Sequence, residues 1–303
     1  MRVGLLHPGQ MGASVGAAAT TSGHEVVWAS AGRSPASRQR AERAGLADAG
    51  SLADLLDRVE AVLSIVPPRA AVAVAEQVAG QGFAGTYVDA NAVAPATARR
   101  IGQIVGGVGG SFVDGSIVGG PVGSPGGTRL YLAGGPAAAL AAVFAGSGLE
   151  VVLLPGRPGA ASALKAAYAG WTKSTAALAP TLRALARAEG VEEPLLAEYA
   201  RSVPDLLELT DRAARSAAGK GWRWVGEMDE IATALTDHGL PAGFHQAAAE
   251  VYRRVGQPTT VTTDTVIDLV AEGTRAAQQE AEYDRDRSGQ SRAGSTAGAP
   301  TQP

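Results

Sequence analysis

The opening of the chain constrains its fold more than any other stretch. A short apolar run, Val3–Leu6, breaks at His7-Pro8-Gly9-Gln10-Met11-Gly12, and Gly16 follows inside a small-residue stretch that reads as a helix over Met11–Ser22. A strand that turns through glycines into a helix is the first half of a strand-helix-strand crossover. The turn has the spacing G-x-G-x-x-G with His7 in place of the first glycine. Such a turn must be tight, must let the backbone approach a pyrophosphate, and must aim a helix N-terminus at its charge. Gly9 and Gly12 meet the last two demands. His7 takes over the first, since histidine tolerates unusual backbone angles better than most residues. His7, Pro8, Gly9, Gln10, Met11 and Gly12 are therefore the candidate cradle for a dinucleotide. The plainer alternative is a structural turn.

The alternation continues beyond this unit. Glu25–Ala29, Ala61–Val66, Thr86–Asp89 and Ser111–Asp114 read as strands, with helices at Ala70–Ala79 and Pro95–Ile104. Arg129–Ala133 and Glu150–Leu154 read as edge strands around a helix near Pro136–Ala145. This order predicts an α/β Rossmann domain, doubly wound with a mostly parallel sheet, over residues 1–157. After Pro155-Gly156-Arg157-Pro158-Gly159 the texture changes. Residues 160–188 form a nearly unbroken alanine-rich helix. Helical patterns follow at Pro194–Ser202, Pro204–Arg215, Glu227–Asp237, Gly243–Val255 and Val261–Gln278. The expectation is an all-α domain over 158–279, reached by one long interdomain helix. Residues 280–303 have almost no apolar side chains and are expected to be disordered.

Composition removes several function classes. A net charge of -3 and the lack of a basic stripe argue against nucleic acid. There is no cysteine, so thiol chemistry and disulfides are out, and the four histidines form no close pair that predicts a metal site. No uninterrupted apolar segment of about 18 residues predicts a membrane span. With no long apolar leader at the N-terminus, the expected location is the cytoplasm.

The second strand ends in Val27-Trp28-Ala29-Ser30-Ala31-Gly32-Arg33-Ser34. An acidic residue here would hold the ribose hydroxyls and repel a 2′-phosphate. Arg33 and Ser34 instead donate to one, so NADP(H) is favoured over NAD(H). Ligands of open α/β sheets lie beyond the carboxyl ends of the strands. Val66-Pro67-Pro68 and Asp89-Ala90-Asn91 end the strands Ala61–Val66 and Thr86–Asp89, which makes Val66, Pro67, Pro68 and Asn91 candidates to line the nicotinamide side. Of 26 basic residues only Lys165, Lys173 and Lys220 are lysines. Lys165 lies early in the long helix and shares a face with Tyr168, Ala169 and Thr172. An ammonium there is suited to protonate a carbonyl oxygen as hydride arrives. A solvated helix lysine is the alternative.

At this point the chain resembles the beta-hydroxyacid dehydrogenases, which include 3-hydroxyisobutyrate and 6-phosphogluconate dehydrogenases. Within them it is similar to phosphogluconate dehydrogenase-like proteins with a distinctive helical C-terminal domain. The resemblance covers residues 1 to about 275. It is carried by Thr128-Arg129-Leu130-Tyr131-Leu132, by Leu164-Lys165-Ala166-Ala167-Tyr168-Ala169-Gly170-Trp171-Thr172-Lys173 and by Trp222-Arg223-Trp224-Val225-Gly226-Glu227-Met228. It implies NAD(P)-dependent interconversion of a carbonyl and an alcohol, Lys165 as general acid/base, and a homodimer formed through the helical domain. The family's substrate loop, Asp-Ala-Pro-Val-Ser-Gly-Gly, reads here Asp114-Gly115-Ser116-Ile117-Val118-Gly119-Gly120. Ser116, Val118, Gly119 and Gly120 are thus the implied substrate residues, with Val118 replacing the loop serine. The asparagine four residues after the lysine is Ala169, and a later Lys-Asp pair is replaced by Glu227-Met228. Related imine reductases take larger, more apolar substrates, and Tyr168, Trp171, Trp222 and Trp224 suit such a pocket, with helix packing as the plainer alternative. Imine reduction is therefore one alternative. A non-catalytic nucleotide-binding protein is the other.

Overall fold

A computed structural model describes residues 1–272. It contains an eight-stranded sheet: β1 (Arg2–Leu5), β2 (Glu25–Trp28), β3 (Ala47–Asp48), β4 (Ala61–Ser64), β5 (Thr86–Asp89), β6 (Ser111–Gly119), β7 (Thr128–Ala133) and β8 (Leu149–Leu153). Their spatial order is β3-β2-β1-β4-β5-β6-β7-β8. All neighbours are parallel except β6 and β7, which pair antiparallel from Asp114↔Ala133 to Gly119↔Thr128. The order reverses between β1 and β4, so the crevice beyond their carboxyl ends is the topological switch point where such sheets bind ligands. The predicted doubly wound, mostly parallel sheet is present.

Helices α1 (Gln10–Thr21), α2 (Pro35–Arg43), α3 (Leu52–Leu56), α4 (Ala71–Gly80), α5 (Pro95–Gly106) and α6 (Ala137–Ala141) connect these strands. Buried on both faces, the central strands send alternate side chains into separate cores. Val26 and Trp28 join Leu5, Val15 and Leu63 on one side; Val27 joins Val62, Tyr87 and Ile101 on the other. Gly16 serves this packing, because a Cβ there would lie 3.0 Å from Leu46 and 3.2 Å from Leu5.

The helical half comprises α7 (Ala160–Ala188), α8 (Glu192–Ser202), α9 (Asp205–Thr236) and α10 (Gly243–Val255), with helix again over 263–272. None of the described helices is long and apolar enough to cross a membrane. The span of α7 agrees with the sequence pattern. Where two helices, Pro204–Arg215 and Glu227–Asp237, were expected, α9 is continuous over 32 residues. Gly219, Gly221 and Gly226 lie inside it without interrupting it. Gly221 instead makes room for a neighbour: a Cβ there would stand 2.9 Å from the Tyr252 ring.

The chain divides into two compact units that differ from the expected boundary at residue 157. The first is Met1–Thr172 with Gly226–Gln246; the second is Lys173–Val225 with the described residues from Ala247 onward. The sheet unit therefore includes the first half of α7 and the end of α9. In the second unit, Arg183 and Arg187 both hold Glu192, at 2.8 and 2.7 Å, and Arg187 also reaches Asp264 and Asp268. The ion network brings α7, α8 and the 263–272 helix together. Residues 280–303, expected to be disordered, lie outside the described residues, as does the end of the helix expected to reach Gln278.

Candidate active site

The glycine turn sits at the switch point. His7 keeps a negative φ, as do all the described non-glycine residues, and its carbonyl accepts from Gly9 N at 2.8 Å. The turn thus closes over Pro8 without the unusual backbone angle expected of His7. Gly12 cannot be replaced freely, since a Cβ there would come within 2.5 Å of the His7 carbonyl oxygen. At Gly9 a Cβ would meet nothing within 4 Å. Gly9 is the N-cap of α1, which has no side-chain cap and no acid in its first turn. The first N–H groups of a helix need acceptors, and its N-terminus favours an anion. The open turn fits a dinucleotide pyrophosphate.

The adjacent rim is basic. Ser34 caps α2, accepting from Ser37 N at 3.2 Å. Arg38 donates to the Ser30 carbonyl at 3.0 Å, and Arg40 donates to the Pro8 carbonyl at 3.0 Å, tying α2 to the glycine turn. His7 Nδ1 and Arg33 Nε are buried without a protein partner. Burial, reinforced by the Arg33 charge, lowers the His7 pKa to about 4, so its ring is neutral at pH 7. Two orphaned polar atoms beside an open helix N-terminus are what a bound dinucleotide would satisfy. The Arg33 loop has no acid of its own. Asp48, however, comes to the same rim from β3, where its carboxylate accepts from Gly50 N at 2.8 Å. Burial would raise its pKa, but hydrogen bonds from Ser30 and Gly50 and the Arg38 charge hold it below the usual value.

Beyond β4 and β5, Asn91 is 3% exposed and its amide acts as a latch. Its Oδ1 accepts from Val66 N at 2.6 Å, and its Nδ2 donates to Ser64 Oγ at 3.2 Å and to Asp89. Asn91 therefore fixes the Val66-Pro67-Pro68 segment from behind, with Pro67 exposed at its crest.

The start of α7 is held by Asp114, which is fully buried on β6. Its Oδ2 accepts from Gly159 N, Ala161 N and Ser162 N at 2.8, 2.7 and 3.2 Å, and its Oδ1 from Ser162 Oγ at 2.6 Å. One turn later, half-buried Lys165 donates through Nζ to the Ile117 carbonyl at 2.7 Å. Two contacts from β6 thus set the height and rotation of α7. Lys165 lines a cleft with Ala92, Val93, Ala166, Ala169, Glu227, Glu230 and Ile231. Glu230 anchors the opposite wall, its Oε2 accepting from Ala94 N at 2.6 Å and Thr97 Oγ1 at 3.3 Å at the start of α5.

The implied substrate residues are not gathered there. Ser116 and Val118 are buried on the face of β6 that also carries Asp114, and Ser116 Oγ has no protein partner. Gly119 has φ +115, and a Cβ there would strike the Gly127 carbonyl; a Cβ on Gly120 would come within 2.6 Å of Ser124 Oγ. Tyr168 and Trp171 are 50% and 76% exposed and lie outside the cleft lining. Glu230 and Arg40 escaped the sequence reading. Their partners lie 136 and 32 residues away, and neither residue belongs to a local motif.

Residues 2–146 match the NAD binding domain of 6-phosphogluconate dehydrogenase. Residues 186–255 match a domain of unknown function, DUF1932. No curated protein matches the sequence. Among solved structures, one conserved protein of unknown function, described as structurally similar to 3-hydroxyacid dehydrogenases, is 25% identical; the match has a TM-score of 0.63 and covers 92% of this chain and 99% of that one. A conserved hypothetical protein from Sinorhizobium meliloti is 23% identical, with a TM-score of 0.68 and coverage of 90% and 96%. The Mycobacterium tuberculosis 3-hydroxyisobutyrate dehydrogenase, solved with L-serine, is 17% identical, with a TM-score of 0.67 and coverage of 88% and 98%. These last two share the fold. Residues 2–146 are thus an NAD-binding domain of the 6-phosphogluconate dehydrogenase type, and it stands ahead of a helical region that matches a domain of unknown function.

Proposed function

We propose that the chain interconverts a carbonyl and an alcohol with NADP(H), using Lys165 as general acid/base. The observation that carries this reading is the placement of Lys165: half-buried, bonded to the Ile117 carbonyl, on a helix start that Asp114 immobilises. Bound NADPH supplies hydride to the carbonyl carbon. The Lys165 ammonium gives a proton to the carbonyl oxygen as charge develops there, and takes it back in the reverse direction. The glycine turn would hold the pyrophosphate, and Val66-Pro67-Pro68, fixed by Asn91, would bound the nicotinamide side. Arg33, with Ser34 and the Arg38 and Arg40 guanidiniums nearby, would receive the 2′-phosphate. Binding of NADPH should therefore exceed that of NADH, and Arg33→Ala should weaken NADPH about tenfold or more while leaving NADH nearly unchanged, by nicotinamide fluorescence titration.

In the second unit Leu178, Leu182 and Leu185 lie at helical spacing and are 55%, 41% and 61% exposed. This stripe supports a homodimer formed through the helical region, with light scattering as the check.

The test of mechanism is Lys165→Met beside Lys165→Arg, on a carbonyl substrate found by screening for NADPH consumption. Both variants should bind NADPH as the parent does and lose turnover by about 100- to 10,000-fold. Arginine keeps the charge but does not release its proton at ordinary pH. Near-normal turnover by Lys165→Met would place the proton donor elsewhere. Rescue by Lys165→Arg would make Lys165 an electrostatic anchor instead.

A further inference from the structure

His7 stands where a dinucleotide-binding turn ordinarily has its first glycine, so an imidazole fills space that glycine leaves free. The residue is half-buried just beyond the carboxyl end of β1. The charges brought towards it are mostly positive. The loop after β2 supplies Arg33, near enough that its charge depresses the His7 pKa. Helix α2 supplies Arg38 and Arg40, and Glu42, two residues on from Arg40, lies on the opposite face. The segment after β4 carries Arg69 and no acid, and the first turn of α1 has no acid either. The acid at this rim is Asp48, which accepts from Gly50 N and sits beside the Arg38 charge. An imidazole in that company is neutral until an anion arrives. Several donors around it already have tasks. Arg38 donates to the Ser30 carbonyl, Arg40 to the Pro8 carbonyl and the Ser37 hydroxyl, and the Ser34 hydroxyl caps α2. His7 Nδ1 and Arg33 Nε are the buried nitrogens here that lack a protein partner. They project from the ends of adjacent strands, β1 and β2, where the adenine ribose of a dinucleotide lies.

We infer that His7 reads the 2′-phosphate together with Arg33, taking up a proton when NADP(H) binds and none when NAD(H) binds, so that selectivity between the two cofactors strengthens towards acid pH. The inference rests on the seat proposed above for NADP(H) at this turn. A ribose hydroxyl pairs with the neutral ring as either donor or acceptor, so NAD(H) calls for no second ring proton. A 2′-phosphate carries nearly two negative charges at neutral pH and offers acceptors only. It therefore favours imidazolium, with one ring N–H donated to the phosphate and the added proton taken from solvent, which half-buried His7 still reaches. The pyrophosphate is common to both cofactors. Its proposed place is over Gly9 and the N-terminus of α1, so it gives His7 no means of telling them apart.

Nitrogen-15 NMR of the imidazoles tests this in the full-length protein, free and saturated with NAD+ or NADP+. The chain has four histidines, and the signal missing from His7→Gln identifies His7. Its pKa in the NADP+ complex should lie at least about one pH unit above that in the NAD+ complex. Calorimetry supplies the second readout, the ratio of NADP+ to NAD+ affinity. The parent's ratio divided by that of His7→Gln should grow about threefold or more from pH 8 to pH 6. Taking the quotient removes the titration of the phosphate itself, which falls near pH 6. His7→Gly, which restores the usual glycine, replaces His7→Gln if circular dichroism shows that the latter does not fold. A His7 pKa that is the same in both complexes overturns the inference, whether it stays low in both or rises in both under the pyrophosphate. Equal weakening of NADP+ and NAD+ in the variant, with a flat quotient, also overturns it and assigns His7 to the shape of the turn. Arg33→Ala separates this result from the cofactor reading. If Arg33→Ala abolishes the preference for NADP+ while the His7 pKa does not move, the role of His7 alone fails. If the parent shows no preference and Arg33→Ala changes nothing, the proposed seat fails and the inference with it.

Discussion

Two helices of the sheet unit begin in opposite ways. At the start of α1 the N-cap is Gly9, without a side-chain cap or an acid in the first turn, and a Cβ there would meet open space. At the start of α7 a fully buried carboxylate, Asp114, accepts three backbone N–H groups and a hydroxyl. Both ends carry the same partial positive charge. One is left for an external anion and the other is filled from within. The difference suits the first to the dinucleotide proposed for it and makes the second a joint that places Lys165.

The largest expected effect comes from emptying the filled end. Asp114→Ala would strand three buried N–H groups and the Ser162 hydroxyl. At about 1–3 kcal/mol for each unsatisfied group, the loss should reach at least about 3 kcal/mol. Asp114→Asn keeps an acceptor and should cost less. Urea unfolding measures both. A loss below about 1 kcal/mol for Asp114→Ala would mean that the carboxylate is not what secures α7.

Asp89 sharpens the contrast, because it is the register partner of Asp114 on the adjacent strand. Asp114 has four donors, and burial still raises its pKa above the ordinary value. Asp89 has Asn91 as its side-chain donor, and its Oδ2 is buried without a partner. Burial raises its pKa from 3.8 to about 8, with the Asp114 charge adding to the rise against the Asn91 hydrogen bond. Between those two values the folded chain holds a proton that the unfolded chain has released. This group's contribution is therefore fully present at low pH and is lost as pH rises toward 8, by up to about 1.4 kcal/mol per pH unit. Asp89→Asn carries no such proton. Its stability relative to the parent should improve steadily from pH 5 to pH 8. Parallel stability curves over that range would show that Asp89 is ionised in the folded protein.

These particulars also show where the sequence is legible. Strands β4 and β5 and the long α7 are visible because buried runs and small-residue helices declare themselves locally. The short β3 and α3 and the polar α2 carry little such signal and are absent from the sequence reading. The helical pattern stops at Arg215 and resumes at Glu227, yet α9 is continuous across that stretch, where Gly221 gives room to the Tyr252 ring. The glycine turn and Lys165 stand out by spacing and rarity. Their supports do not: Asp114 finds its partners 45 to 48 residues away and Glu230 136 residues away. Nothing in a local window distinguishes those carboxylates from solvated ones.

The smallest effect on stability belongs to the open end, and it breaks the comparison most directly. Gly9→Asp would build into α1 the kind of cap that α7 has. Gly9 has φ -66 and ψ -175, which an aspartate adopts without strain, and its Cβ meets nothing. Aspartate is the better N-cap, and its charge suits the helix end, so the fold should gain a few tenths of a kcal/mol. The same carboxylate would occupy the place proposed for the pyrophosphate and repel it. Affinity for NADPH and NADH should then fall together, by about 100-fold or more, since both carry that group. Gly9→Ala is the control: it adds bulk without charge, and its loss should be the smaller. If Gly9→Asp binds NADPH like the parent while gaining stability, the cofactor's phosphates do not rest on α1. If it loses both stability and binding, the turn has been deformed, and the open end is less tolerant than its geometry implies.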